Sequence, residues 1–144
     1  MPKVLVVDND RDMCQVVSDI LKEEGYNVSI AHDGETALDR LKKHRFDAMI
    51  LDYKLSGISG LTVLEKAHQI RPSIQTIMIS AYGTSSTKAR AKELGAYDFL
   101  DKPFDIKKVV RIVKNALAKK KSAGTRLTAP HPSKKRNLNR KGGG

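Results

Sequence analysis

Five short apolar runs, separated by segments of helical period, constrain this chain more than any other feature. They cover residues 4–7, 28–31, 48–51, 76–79 and 99–100. The first, third and fourth are continuous rather than alternating, the pattern of parallel strands covered on both faces. After the first run, Met13, Val16, Val17, Ile20 and Leu21 recur at i, i+3, i+4, i+7 and i+8, an amphipathic helix. Ala37, Leu38 and Leu41 make a shorter stripe. Leu61, Leu64, Ala67 and Ile70 make another, ended at Arg71-Pro72 because the residue before proline is pushed out of the helical region. Ile106, Val109, Val110, Val113 and Leu117 make the last. Ile112 and Ala116 fall off that main stripe, which makes them candidates for a dimer contact. Residues 84–94 have little stripe, yet Gly95 marks a helix end there.

A strand-helix unit repeated five times implies an α/β domain, a parallel sheet with helices on both faces. Right-handed crossovers leave few topologies. One common solution is the flavodoxin-like order 2-1-3-4-5, which binds ligands at the carboxyl ends of the strands where strand order reverses. In this chain that point lies between the ends of strands 1 and 3.

The 144 residues suffice for one cored domain and a tail. No apolar run approaches the ~20 residues of a membrane helix, and no signal-like segment precedes the first strand, so a cytoplasmic location is expected. The single cysteine, Cys14, excludes an internal disulfide and reads as a small, partly buried helix residue. His32, His44, His68 and His131 are scattered, as surface residues rather than a metal set. The net charge is +11, but residues 119–144 hold nine basic residues and no acid, leaving 18 basic and 16 acidic residues before them. The expected organisation is therefore a domain over 1–118 and a basic, disordered tail or linker over 119–144. Such a tail either leads to an output domain or touches nucleic acid or another polyanion. Without a helix-turn-helix pattern or interleaved aromatics, nothing supports sequence-specific DNA reading.

What stands at the strand ends carries the chemistry. Strand 1 ends in Asp8-Asn9-Asp10, strand 3 in Asp52, strand 4 in Ser80-Ala81, and strand 5 runs into Asp101-Lys102-Pro103. Carboxylates gathered on one edge repel each other and must take up a proton or a cation. Oxygen donors at this density suit a hard divalent ion such as Mg²⁺, which keeps several waters. Adding a lysine ammonium and a serine hydroxyl completes a set for phosphoryl transfer: a carboxylate attacks phosphorus while the cations and the hydroxyl neutralise its equatorial oxygens.

The segments Val6-Val7-Asp8-Asn9-Asp10, Leu51-Asp52-Tyr53-Lys54, Ile79-Ser80-Ala81-Tyr82-Gly83 and Phe99-Leu100-Asp101-Lys102-Pro103-Phe104, in that order, resemble the CheY-like receiver domains of two-component response regulators. The resemblance spans about residues 3–117. It implies that Asp52 is the phosphoacceptor and that Asp8, Asn9, Asp52 and the Lys54 backbone carbonyl bind Mg²⁺ (or Mn²⁺), with Asp10 as a further candidate ligand. It implies that Ser80, Lys102 and Phe99 are the catalytic and switch residues and that the bond before Pro103 is cis. The implied partners are a histidine kinase or phosphotransfer protein, an output domain or effector, and a second copy of the chain on phosphorylation. Switching would act through the face of helix 4, strand 5 and helix 5. Such a domain is not an enzyme, though it assists its own phosphotransfer and dephosphorylation. This chain departs from the family pattern in three places. Asn9 stands where a second acid is usual, Ser56 where proline is frequent, and Lys54 and Tyr82 occupy positions that tune dephosphorylation.

Two alternatives follow from the same residues. With Asn9 weakening the metal site, the fold can serve as a degenerate receiver, a protein-interaction module that is not phosphorylated. Asp8-x-Asp10 also resembles the nucleophile motif of haloacid-dehalogenase-type phosphatases, with Asp8 as nucleophile and Asp10 as acid/base. Against it, Asp12 follows where Thr or Val is expected, and no paired acids follow Lys102 on a later strand.

Overall fold

The structure is a computed structural model and describes residues 1–128, with side chains through Lys119. Strands and helices alternate as β1 (Lys3–Val7), α1 (Arg11–Glu23), β2 (Asn27–Ala31), α2 (Gly34–Lys43), β3 (Ala48–Asp52), α3 (Gly60–Ile70), β4 (Gln75–Ser80), α4 (Ser85–Glu93), β5 (Asp98–Asp101) and α5 (Ile106–Thr128). All five strands pair in parallel, in the order β2-β1-β3-β4-β5. This is the flavodoxin-like, CheY-like arrangement expected from the alternation.

Successive strand residues point to opposite faces, and each face has its own core. Leu5, Val7, Met49, Leu51 and Met78 pack with Leu41, Val63, Leu64, Ala67 and Ala91 of α2, α3 and α4. Val4, Val6, Ala48, Ile50, Ile77 and Ile79 pack with Cys14, Val17, Leu21, Val109 and Val113 of α1 and α5. Burial on both sides is the reason the central runs are apolar without alternation. Four helices start on side-chain caps: Asp10, Asp33, Ser59 and Thr84 accept from the backbone N–H of Met13, Thr36, Thr62 and Thr87. Each cap contributes about 1 kcal/mol.

α4 buries only Ala91 and ends where Gly95 takes a φ of 102°, a conformation that costs glycine nothing for want of a Cβ. With so little apolar burial it is the helix most easily displaced.

The structure corrects several details. The buried face of α1 is Cys14, Val17, Ser18 and Leu21, while Val16 is 51% exposed. Cys14 and Ser18 take buried positions where the sequence pattern had placed Val16, so the buried face is rotated from the apolar stripe. Cys14 is fully rather than partly buried. Ile112 and Ala116 are core residues on the same face as Val109 and Val113, so they offer no dimer contact. His32 and His68 are half-buried rather than at the surface; His44 is exposed, and His131 lies outside the described residues. Residues 119–128, expected to be unstructured tail, continue α5. A helix already nucleated on the core propagates cheaply through residues such as Lys, Ala and Arg. The rest of the expected tail, 129–144, lies outside the described residues.

Candidate functional site

Strand register assembles the site. Val7 pairs with Leu51, Asp52 with Ile79 and Ser80 with Asp101, so Asp8, Asp52, Ser80 and Lys102 arrive at one carboxyl edge. Backbone bonds extend the sheet by one step: the N–H groups of Asp8, Tyr53 and Lys102 donate to the carbonyls of Ala31, Ile79 and Ser80 at 3.2, 2.8 and 2.8 Å. The Lys102-Pro103 bond is cis.

At the centre, the Lys102 ammonium donates to Asp8 Oδ2 at 2.8 Å and to Asp52 Oδ2 at 3.3 Å. The Asp8 and Asp52 side chains are 0% and 6% exposed. Their second oxygens accept from the loops, Asp8 Oδ1 from the Asp10 N–H at 2.9 Å and Asp52 Oδ1 from the Lys54 N–H at 3.3 Å. Burial, then the charge of Asp8, raises the Asp52 pKa above its ordinary value, with Lys102 and the Lys54 N–H opposing. Burial is the largest single influence on Lys102 and pulls its pKa down. The hydrogen bond to Asp8 and the charge of Asp52 outweigh it, so the net shift is upward and the ammonium stays charged.

Asp52 lines an open cleft of about 290 Å³ with Asn9, Lys54, Ala81, Tyr82 and Lys102; Asp8 is not part of the lining. A water occupies about 30 Å³ in the liquid, so the cleft takes a group much larger than one water. At its rim the Lys54 ammonium stands 5.1 Å from the Tyr82 ring centre, and Tyr82 is 68% exposed. Ser80 is buried, its Oγ accepting from the Tyr82 N–H at 2.9 Å. The half-buried Phe99 ring lies 5.7 Å from the Lys88 ammonium, which also pairs with Asp101 at 2.8 Å. Asp101 therefore faces outward, away from the two buried carboxylates. Asp10 is exposed and serves as the N-cap of α1.

Some supporting residues were not singled out by sequence reasoning. The Asp8 carbonyl accepts from Cys14 Sγ at 3.2 Å and lies 3.1 Å from His32 Nδ1, which anchors the turn after β1. Burial and the nearby Asp8 charge push the Cys14 thiol up to about 11, so it stays protonated. Gly60 packs so closely beneath the loop after β3 that a Cβ there would lie 2.4 Å from the Asp52 carbonyl oxygen and 2.7 Å from Tyr53 Cα. A glycine directly after the capping Ser59 was its only signal in the sequence.

Asp8 and Asp52 carboxylates, the Asn9 amide oxygen and the Lys54 carbonyl are all hard oxygen donors at one edge, a set that fits a hydrated Mg²⁺. Among the described residues no three His, Cys, Asp or Glu side chains cluster as a metal site. Asn9, which lines the cleft beside Asp52, contributes an oxygen without a charge.

The fold and its ionisable edge place the chain among α/β domains that gather their functional groups at the carboxyl ends of parallel strands. Residues 4–114 match the family model of the response regulator receiver domain; the chain belongs to that family, whose members act in two-component systems. It is 38% identical over 120 residues to the transcriptional regulatory protein CpxR of Escherichia coli, covering 81% of this chain and 50% of that one. It is 31% identical over 115 residues to the transcriptional regulatory protein ZraR of the same species, covering 80% of this chain and 26% of that one. The chain thus spans about a quarter to a half of these relatives. A CheY-like receiver domain protein from Methanospirillum hungatei superposes with a TM-score of 0.84 at 28% identity, over 86% of this chain and 99% of that one.

Proposed function

We propose that this chain is a phosphorylation-operated receiver in which Asp52 accepts a phosphoryl group from a histidine kinase or phosphotransfer protein. One observation carries the choice of nucleophile: of the two buried carboxylates, Asp52 lines the cleft and the fully buried Asp8 does not. In the transfer, an Asp52 carboxylate oxygen forms a bond to phosphorus. The donor's bond to phosphorus breaks, and its electron pair leaves with the donor, which takes up a proton. Lys102, already 3.3 Å from Asp52, neutralises charge on the phosphoryl oxygens. A bound Mg²⁺ or Mn²⁺, held by Asp8, Asn9, Asp52 and the Lys54 carbonyl, with Asp10 as a further candidate ligand, would supply further charge neutralisation.

The switch runs through Ser80 and Phe99. The Ser80 hydroxyl gives up its bond from the Tyr82 N–H to reach the phosphoryl group, and Phe99 turns inward into the space vacated. α4 is loosely held and shifts with them, which alters the α4-β5-α5 face that an output domain, an effector or a second copy would read. Relatives that are transcriptional regulators support an output of that class.

Intact mass after incubation with acetyl phosphate tests the reading. One phosphoryl adduct in Mg²⁺, lost in EDTA and in Asp52→Asn, is expected. No adduct under any condition would favour the degenerate-receiver reading that Asn9 motivates.

A further inference from the structure

The positive charge of this chain does not begin at the tail. Residues 1–105 carry 14 basic and 16 acidic residues, whereas 106–144 carry 13 basic residues and no acid. The break coincides with the start of α5, at Ile106. Five of those cations, Lys107, Lys108, Arg111, Lys114 and Lys119, are exposed on α5. At 3.6 residues per turn they fall within an arc of about 140° and span about 18 Å of helix axis. The opposite face of α5 is spent on the core through Val109, Ile112, Val113 and Ala116. Among the described residues the ion pairs involve Lys43, Lys88, Arg90, Lys102 and Lys114, which leaves Lys107, Lys108 and Arg111 without a carboxylate partner. Lys114 meets Glu24 at 2.6 Å and Lys119 lies over the Tyr97 ring. Beyond Lys119 the helix continues to Thr128, and the sequence adds eight further cations by Lys141.

We propose that the outer face of α5 forms a docking surface for the sugar-phosphate backbone of nucleic acid, independent of base sequence. Charge complementarity carries the assignment. A linear stripe of one sign, met among the described residues by a single carboxylate, Glu24 at Lys114, matches a uniformly charged linear polyanion, and its length of about 18 Å follows about half a turn of duplex DNA. A membrane surface fits less well, because a helix lying in that interface needs an exposed apolar face. The large exposed hydrophobic residues among those described are Met1, Val16 and Tyr82, none of them on α5.

The test is fluorescence anisotropy of the full chain with labelled DNA duplexes of two unrelated sequences, titrated across a range of salt. Wild type should bind both alike, with log K falling against log salt at a slope of about −4 or steeper. The exposed-face variant Lys107→Gln/Lys108→Gln/Arg111→Gln should weaken both duplexes at least about tenfold and make the slope shallower by about 2 to 3. Its thermal melt should match wild type, since these side chains touch no core residue. A second variant, Lys119→Gln/Lys120→Gln/Lys121→Gln, should lose affinity in the same sequence-blind way. Unchanged binding in the exposed-face variant would overturn the proposal. So would retention by phosphatidylserine vesicles, or by polyglutamate, at salt where the duplexes do not bind.

Discussion

Replacing Lys102 with methionine isolates the electrostatic centre of the site. The substitution keeps most of the side-chain volume and removes the one ammonium that bridges Asp8 and Asp52. Breaking a buried ion pair by deleting one partner typically costs ~3–5 kcal/mol, because the remaining charge is left uncompensated. Two features of this site moderate that figure. Each carboxylate keeps a backbone N–H donor, from Asp10 or Lys54, and Lys102 is itself 24% exposed, so water reaches one side of the cluster. A loss of about 2–4 kcal/mol at neutral pH in EDTA is expected. Urea unfolding followed by far-UV circular dichroism measures it. Adding Asp52→Asn to Lys102→Met removes one of the two facing charges and should restore at least about half of the loss, a coupling that shows as non-additivity in the double-mutant cycle. Acid should restore it as well. The Asp52 pKa is raised in the folded state, chiefly by burial and then by Asp8, so the folded form binds the proton more tightly than the unfolded chain. Stability then falls as pH rises from about 4 through the raised folded value, and more steeply once Lys102 no longer opposes the shift. A loss in Lys102→Met below about 1 kcal/mol, insensitive to pH and to Asp52→Asn, would refute the view that this lysine neutralises two buried carboxylates.

Two further outcomes follow from the packing. Gly60→Ala forces a Cβ to within 2.4 Å of the Asp52 carbonyl oxygen; overpacking of this kind costs about 1–3 kcal/mol and should slow adduct formation in the mass assay, because the displaced backbone carries Asp52. His68 lies 3.3 Å from Thr76 Oγ1, and burial holds its pKa below the usual histidine value. Its unfolded form therefore binds more protons just below pH ~6.5, so stability should drop as pH falls below that value. Urea melts of wild type and His68→Gln across that range should show the dependence flattened in the variant.

Much of the architecture was legible because burial on both sheet faces writes itself as continuous apolar runs, and parallel pairing then sends every strand end to one edge. The candidate site was legible for the same reason: Asp8, Asp52, Ser80 and Lys102 each stand at a strand end. What the pattern could not convey was rotation and reach. The apolar stripe of α1 misplaced Val16, because the small residues Cys14 and Ser18 took the buried positions. Ile112 and Ala116 looked peripheral until the sheet fixed which side of α5 faces inward. The bridging of two carboxylates by Lys102, and the closeness of Gly60 to Asp52, join residues distant in sequence through geometry that no local period encodes. The helical path of residues 119–128 follows from propagation out of the core, whereas composition alone had suggested a tail.

The identity of the nucleophile is tested most directly by trapping it. The chain is incubated with acetyl phosphate and Mg²⁺, the acyl phosphate is reduced with borohydride, and the peptides are mapped by mass spectrometry. Reduction at Asp52, with Asp8 and Asp10 unchanged, is the predicted result. Reduction at Asp8 with Asp52 intact would contradict the account, and would mean that the fully buried carboxylate, rather than the one lining the cleft, attacks phosphorus.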